Sequence, residues 1–109
     1  MSSVRVVSVD AQNLARELRR YVAALKRRPE VRRIYLCGSR ARGDYGPYSD
    51  VDLLLILESD PQPGRRPLDR VPDYLPGRFP VGVDLFVYTE EEAENSTFVR
   101  HLLDSAVEL

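Results

Sequence analysis

The sequence of 109 residues contains a single cysteine, no tryptophan and no long apolar run. The lone Cys37 cannot form an intramolecular disulfide, which favours a reducing compartment, and we predict a cytoplasmic location. No apolar run is longer than the five residues Leu53–Leu57, far below the roughly 20 that span a bilayer. Residues 1–10 lack the apolar stretch and cleavage site of a signal peptide. We therefore predict one domain over residues 1–109 and no membrane partner.

An excess of charge of one sign is also missing, because 16 basic residues face 17 acidic ones. The two halves of the chain nevertheless differ. Residues 1–43 carry ten arginines and one lysine against three acids, whereas residues 44–109 carry five arginines against fourteen acids. The near-neutral total argues against a nucleic-acid binder. The basic half remains suited to an acidic partner or a phosphate.

Hydrophobic patterns predict helices and strands in alternation. Asp10 is a good N-cap for a helix whose apolar residues recur at three- and four-residue spacing, and Pro29 ends that helix. The elements predicted after it are strands over 31–37 and 51–57, a proline-rich segment over 59–80 with a short helical turn at 68–75, a strand over 81–88, a Thr89–Glu92 capping box and a helix over 95–107. The strand over 51–57 is apolar on both faces, which is typical of a central strand covered on both sides.

Two carboxylates stand at the start of that central strand. Asp50 and Asp52 are two residues apart in an extended segment, so both side chains point to the same face. Like charges in partly buried space repel each other, and this strand has no lysine or arginine to offset them. A divalent cation would offset them, since Mg²⁺ binds through one or two carboxylates together with phosphate oxygens.

A third carboxylate, Asp84, interrupts the apolar strand over 81–88, where an acid is uncommon. Its position is explained if this strand lies beside the strand over 51–57, so that Asp84 joins Asp50 and Asp52. Gly82 then leaves space on the same face for another group to approach. Each acid alone is more often a turn residue or half of an ion pair, but three in this placement favour a catalytic metal site.

A Gly-Ser pair ends the first predicted strand and opens a short helix. The free backbone amides at Gly38 and the hydroxyl of Ser39 suit an anion such as a triphosphate. Arg40 and Arg42 are near enough to add charge-assisted contacts. A Gly-Ser turn alone is ordinary, and its spacing to Asp50 is what makes the pattern specific.

The combined motif resembles the nucleotidyltransferase superfamily that includes DNA polymerase beta, and within it the minimal nucleotidyltransferases. Their signature is a Gly-Ser, an Ala-Arg-Gly, a spacer, a Ser-Asp-x-Asp-Leu and a later Asp. The matching residues are Gly38-Ser39, Ala41-Arg42-Gly43, Ser49-Asp50-Val51-Asp52-Leu53 and Asp84. The resemblance implies an α+β nucleotidyltransferase fold, a small mixed β-sheet with helices packed on it.

The resemblance also implies the chemistry. Asp50, Asp52 and Asp84 would hold Mg²⁺, as two ions, and Asp84 would activate an acceptor hydroxyl. The residues assigned to binding of the nucleotide, ATP, are Gly38, Ser39, Arg42 and Ser49. Minimal family members often pair as antitoxins with HEPN-family toxins, and some transfer AMP to a toxin tyrosine. We therefore expect AMP transfer to a HEPN-family partner.

Two alternatives remain open. The chain could be a catalytically idle antitoxin that neutralises its partner by binding, which its small size and the lack of room for an acceptor-binding domain favour. It could instead modify a small molecule such as an aminoglycoside, with a homodimer interface supplying the pocket. The only histidine, His101, adjoins Arg100 at the wrong spacing for a HEPN ribonuclease, so the chain is not expected to be the toxin.

Overall fold

The computed structural model describes residues 10–109, which form a four-stranded mixed β-sheet with helices on both faces. The strands are β1 (Val31–Cys37), β2 (Val51–Leu57), β3 (Val83–Thr89) and β4 (Val107–Glu108). They lie in the order β3-β2-β1-β4. Strand β1 pairs antiparallel with β2 and β4, whereas β2 and β3 run parallel. The predicted α+β architecture, a small mixed sheet with packed helices, is confirmed.

Five helices within residues 10–109 accompany the sheet. They are α1 (Ala11–Lys26), α2 (Gly38–Arg42), α3 (Pro67–Arg70), α4 (Glu90–Glu94) and α5 (Thr97–Leu103), with a 3₁₀ turn at Val71–Asp73. Asp10 caps α1 as predicted, because its carboxylate accepts a hydrogen bond from the backbone N–H of Gln12 at 2.9 Å. Within residues 10–109, no helix is both long and apolar enough to cross a membrane.

Strand β2 is the centre of the core. Every residue of this strand is buried except Asp52, which is partly exposed. On one face, Leu53, Leu55 and Leu57 pack with the apolar side of α1. On the other face, Leu54 and Ile56 pack with Val99 of α5. The prediction of a central strand covered on both sides is therefore confirmed.

The C-terminal region differs from the sequence-based prediction. The Thr89–Glu92 capping box is present, but it opens the separate helix α4. The side chain of Ser96 accepts a hydrogen bond from Val99 N at 3.1 Å and starts α5, because such local bonds compete with a continuous helix. The predicted helix over 95–107 is wrong at its end, since α5 stops at Leu103. The chain then pairs with the edge of β1 as β4.

The proline-rich segment over 59–80 is fixed to the sheet by a buried arginine. Arg70, which is 2% exposed, donates to Asp60 Oδ2 at 2.7 Å and to Glu92 Oε1 at 2.6 Å. It also donates to the carbonyl of Val87 in β3 at 3.2 Å. Arg65 adds a bond to Asp60 Oδ1 at 2.7 Å. We call Asp60, Arg65, Arg70 and Glu92 the Arg70 network.

Candidate active site

The parallel pairing of β2 and β3 places the predicted acids side by side. In this register Asp52 lies opposite Asp84, and Val51 lies opposite Val83. Strand β3 therefore begins at Val83 rather than at residue 81. Because side chains alternate along a strand, Asp50, Asp52 and Asp84 share one face of the sheet. The structure thus brings the three carboxylates together where the two strands begin, and we call them the acid cluster.

Gly38 lies directly against Asp52. Its φ of 69° is in the left-handed region that favours glycine. A Cβ at this position would clash with Oδ2 of Asp52 and lie 3.2 Å from its Cγ. The register explains the closeness, because Cys37, the preceding residue, lies opposite Asp52 in β1. Glycine is therefore required here both by the backbone and by the neighbouring carboxylate.

The acid cluster is more exposed than the sequence suggested. Asp52 is partly buried, but Asp50 and Asp84 are exposed. The expectation of acids in a buried part of the sheet is wrong for these two, since α4 and α5 cover the sheet further along β2, at Leu54 and Ile56.

Electrostatics set Asp52 apart from an ordinary aspartate. Burial raises the pKa of the Asp52 carboxyl above its usual 3.8, and the charge of Asp84 and a hydrogen bond between the two carboxyls raise it further. The charge of Asp50 acts in the same direction, whereas the nearby Arg42 lowers this pKa. Like charges are gathered here in a way that disfavours ionisation of Asp52.

The loop between α2 and β2 is held in place by Arg40. Its Nε donates to the carbonyl of Ser49 at 3.0 Å and its Nη2 to the carbonyl of Pro47 at 3.4 Å. Its guanidinium also stacks on Tyr45, 4.6 Å from the ring centroid. Arg40 therefore positions the loop that leads into Asp50, and its contact with a phosphate stays a prediction. No sequence pattern reveals this role, because it arises from how the loop folds back.

The other residues assigned to nucleotide binding surround the same strand end. Ser39 lies in the first turn of α2 and its carbonyl accepts a bond from Asp44 N at 3.1 Å. Arg42 is exposed and donates to Asp44 Oδ2 at 3.2 Å. The hydroxyl of Ser49 accepts a bond from Gly46 N at 2.9 Å and so closes a turn. Their roles in nucleotide binding stay predictions.

Comparison with known proteins places the chain in a family. Residues 18–108 match the family described as Nucleotidyltransferase domain. The chain belongs to this family. A crystal structure of a candidate nucleotidyltransferase from Sulfolobus solfataricus is similar to this domain, with 25% sequence identity and a TM-score of 0.60. The similarity covers 87% of this chain and 78% of that chain. No curated protein matches the sequence. The predicted nucleotidyltransferase fold is confirmed.

The donor chemistry of this nucleotidyltransferase domain can be compared with the needs of a divalent cation. Among residues 10–109, no three His, Cys, Asp or Glu side chains are arranged to hold a metal ion by themselves. Mg²⁺ takes only one or two carboxylates and completes its shell with waters and phosphate oxygens. Asp52 and Asp84, which lie opposite each other in the parallel register and whose carboxyls act on each other, supply such a pair. The donor set therefore fits a Mg²⁺ that arrives with a nucleotide.

Proposed function

We propose that this nucleotidyltransferase domain transfers AMP from ATP to a hydroxyl group in a Mg²⁺-dependent reaction. The observation that carries the proposal is the register that sets Asp52 opposite Asp84, with the charge of Asp50 acting on the same carboxyl. Structural carboxylates are normally accompanied by a cationic side chain. An assembly of like charges is instead expected where the counter-charge comes with the ligand.

In the proposed reaction, the acceptor oxygen forms a bond to the α-phosphorus of ATP, and the bond from that phosphorus to the bridging oxygen breaks, so that pyrophosphate leaves. Asp84 takes the proton of the hydroxyl, for which its exposure makes it accessible. Asp50 and Asp52, together with Asp84, would hold Mg²⁺, which supplies positive charge to the attacking and leaving oxygens. Gly38 and Ser39 would donate hydrogen bonds to the phosphates.

For the acceptor, we propose a tyrosine of a HEPN-family protein, which gives the chain the role of an antitoxin. The motif shared with minimal nucleotidyltransferases supports this partner. The position of the acid cluster is compatible with a macromolecular acceptor, because Asp84 is exposed and β3 is an edge strand of the sheet that the structure describes. A tyrosine on a folded partner could therefore reach Asp84.

The test is transfer of label from α-³²P-ATP to a purified HEPN-family protein. Wild-type protein should label that partner only with Mg²⁺, and Asp52→Asn should lower the rate by about 100-fold or more, as loss of one electrostatic contact to a transition state does. Asp104→Asn is the matched control, because Asp104 is exposed at the end of α5. Equal labelling by wild type and Asp52→Asn would contradict the proposal.

A second candidate is an idle binding module that neutralises the partner without chemistry. The observation that favours it is that no three ligand side chains of residues 10–109 form a metal site by themselves. This candidate expects a tight complex with the partner in the absence of nucleotide, unchanged by Asp52→Asn and unlabelled by α-³²P-ATP. Isothermal titration of the two purified proteins, beside the labelling assay, separates the two candidates.

A further inference from the structure

Gly82 lies beside the acid cluster, at the start of β3. Strands β2 and β3 are in parallel register with Val51 opposite Val83 and Asp52 opposite Asp84. Extending this register by one residue sets Gly82 beside Asp50. The carbonyl of Gly82 accepts a hydrogen bond from Val51 N at 2.9 Å, so the two backbones are already joined at this point. Of the four positions Asp50, Asp52, Gly82 and Asp84, three therefore carry a carboxylate and Gly82 carries no side chain.

The space beside Gly82 is filled by the carboxylate of Asp50. A Cβ on Gly82 would clash with Oδ1 of Asp50 and lie 3.0 Å from its Cγ and 3.4 Å from its Oδ2. All three nearest atoms belong to that one side chain. Any larger residue at this position would have to displace the carboxylate, because two atoms cannot share the space.

Backbone conformation does not explain why this residue is a glycine. The glycines with a φ in the left-handed region are Gly38, Gly43 and Gly64, and Gly82 is not among them. Gly82 is exposed, so close packing of the core does not exclude a side chain there either. The close contact with Asp50 therefore explains why residue 82 is a glycine.

We propose that Gly82 is a positioning residue for Asp50: the missing side chain lets the carboxylate lie across the start of β3, beside Asp52 and Asp84. The inference rests on the proposed function, since it concerns how a ligand of the nucleotide-bound cation is held. Asp50 comes from the end of a loop and is exposed, so its own surroundings hold it only weakly. Contact with Gly82 is what selects its orientation.

The experiment compares Gly82→Ala with Gly77→Ala, a matched control because a Cβ on Gly77 meets no atom within 4 Å. Binding of Mn²⁺ with α,β-methylene-ATP is followed by the water-proton relaxation enhancement of the ternary complex, which does not depend on turnover. Gly82→Ala should weaken Mn²⁺ binding by about 10- to 100-fold, the usual effect of losing support for a metal ligand. Gly77→Ala should stay within about twofold of wild type.

A double-mutant cycle then shows whether the effect passes through Asp50. Added to Asp50→Ala, the Gly82→Ala substitution should change Mn²⁺ affinity less than twofold, because the displaced carboxylate is already gone. Urea unfolding gives a second readout: any stability that Gly82→Ala loses should return when Asp50→Ala relieves the clash.

The outcomes separate this inference from the proposed function. If wild type forms the ternary complex, Asp50→Ala weakens it and Gly82→Ala binds like wild type, the inference is overturned and the function stands. An equal loss from Gly82→Ala with and without Asp50 also overturns it. If wild type forms no Mn²⁺-dependent complex, the proposed function fails and the inference fails with it.

Discussion

Two clusters of charge lie along β3 and differ in what balances them. In the Arg70 network, two arginines meet two carboxylates, with Arg70 at 2.7 Å from Asp60 and 2.6 Å from Glu92. In the acid cluster, three carboxylates share one face, and the cation that acts on Asp52 is the exposed Arg42. The first cluster is built around a buried arginine and its charges are balanced, whereas the second is more exposed and has an excess of negative charge.

The difference appears in the direction of the pKa shifts. Hydrogen bonds from Arg65 and Arg70 hold the pKa of Asp60 well below its usual range, and those from Arg70 lower the pKa of Glu92. Burial and the charge of Asp84 raise the pKa of Asp52. Ionised side chains thus stabilise the fold in one cluster and destabilise it in the other. A destabilising set of charges is expected at a site that serves ligand binding.

The largest expected effect comes from removing the central arginine of the Arg70 network. Arg70→Met should lower the free energy of unfolding by about 3–5 kcal/mol, because it leaves Asp60 and Glu92 without their buried partner. Urea unfolding measures this, with Arg100→Met as the control because Arg100 is exposed on α5. A loss below about 1 kcal/mol would mean that the network does not hold the proline-rich segment in place.

The next effect comes from supplying the missing counter-charge. At about 100 times its dissociation constant, ATP with Mg²⁺ should add about 2.7 kcal/mol to the stability of wild type. Thermal unfolding with ATP, GTP, CTP and UTP, each with and without Mg²⁺, measures the shift and identifies the base. Asp52→Asn should lose the dependence on Mg²⁺. If the shift in the Tm of wild type were the same with and without Mg²⁺, the acid cluster would not contribute to nucleotide binding.

The smallest effect has the opposite sign. Without ligand, Asp52→Asn should raise the Tm at neutral pH by a few degrees, because it removes a carboxylate whose ionisation is unfavourable in the folded chain. The folded-state pKa of Asp52 lies above 3.8, so wild type is penalised at high pH and recovers as the pH falls through that pKa. Calorimetry at several pH values should therefore find a gain that shrinks in acid. A Tm equal to or below that of wild type at neutral pH would contradict this.

Much of the fold around the acid cluster could be predicted from the sequence. Five consecutive apolar residues after Asp52 require cover on both faces, and that alone makes β2 central. An acid inside an apolar strand is uncommon, so Asp84 predicted that β3 lies beside β2 and its acids. The register confirms this, because it sets Asp84 opposite Asp52. These inferences succeeded because they depend on side-chain alternation, a property of any strand.

The parts that failed depend on contacts between distant segments. Arg70 lies in a proline-rich stretch and resembles a solvated loop residue, yet its partners are ten and twenty-two residues away. The end of α5 was also missed, because the pairing of Val107 with Leu36 competes with one more helical turn. Local patterns carry no signal for either. The exposure of Asp84 likewise depends on where α4 and α5 end up on the sheet.

The buried Cys37, which lies opposite Asp52 in β1, is a built-in probe of local opening near the acid cluster. Its side chain is fully buried, and burial raises the pKa of the thiol to about 11, with the charge of Asp52 adding to the shift. Iodoacetamide reacts with the exposed thiolate, so alkylation has to wait until the cover over Cys37, which includes Val99 of α5, opens locally. The alkylation rate of this single thiol therefore reports local opening of the α5 cover beside Asp52, without any engineered label. A bound nucleotide that stabilises this region would lower the alkylation rate of Cys37.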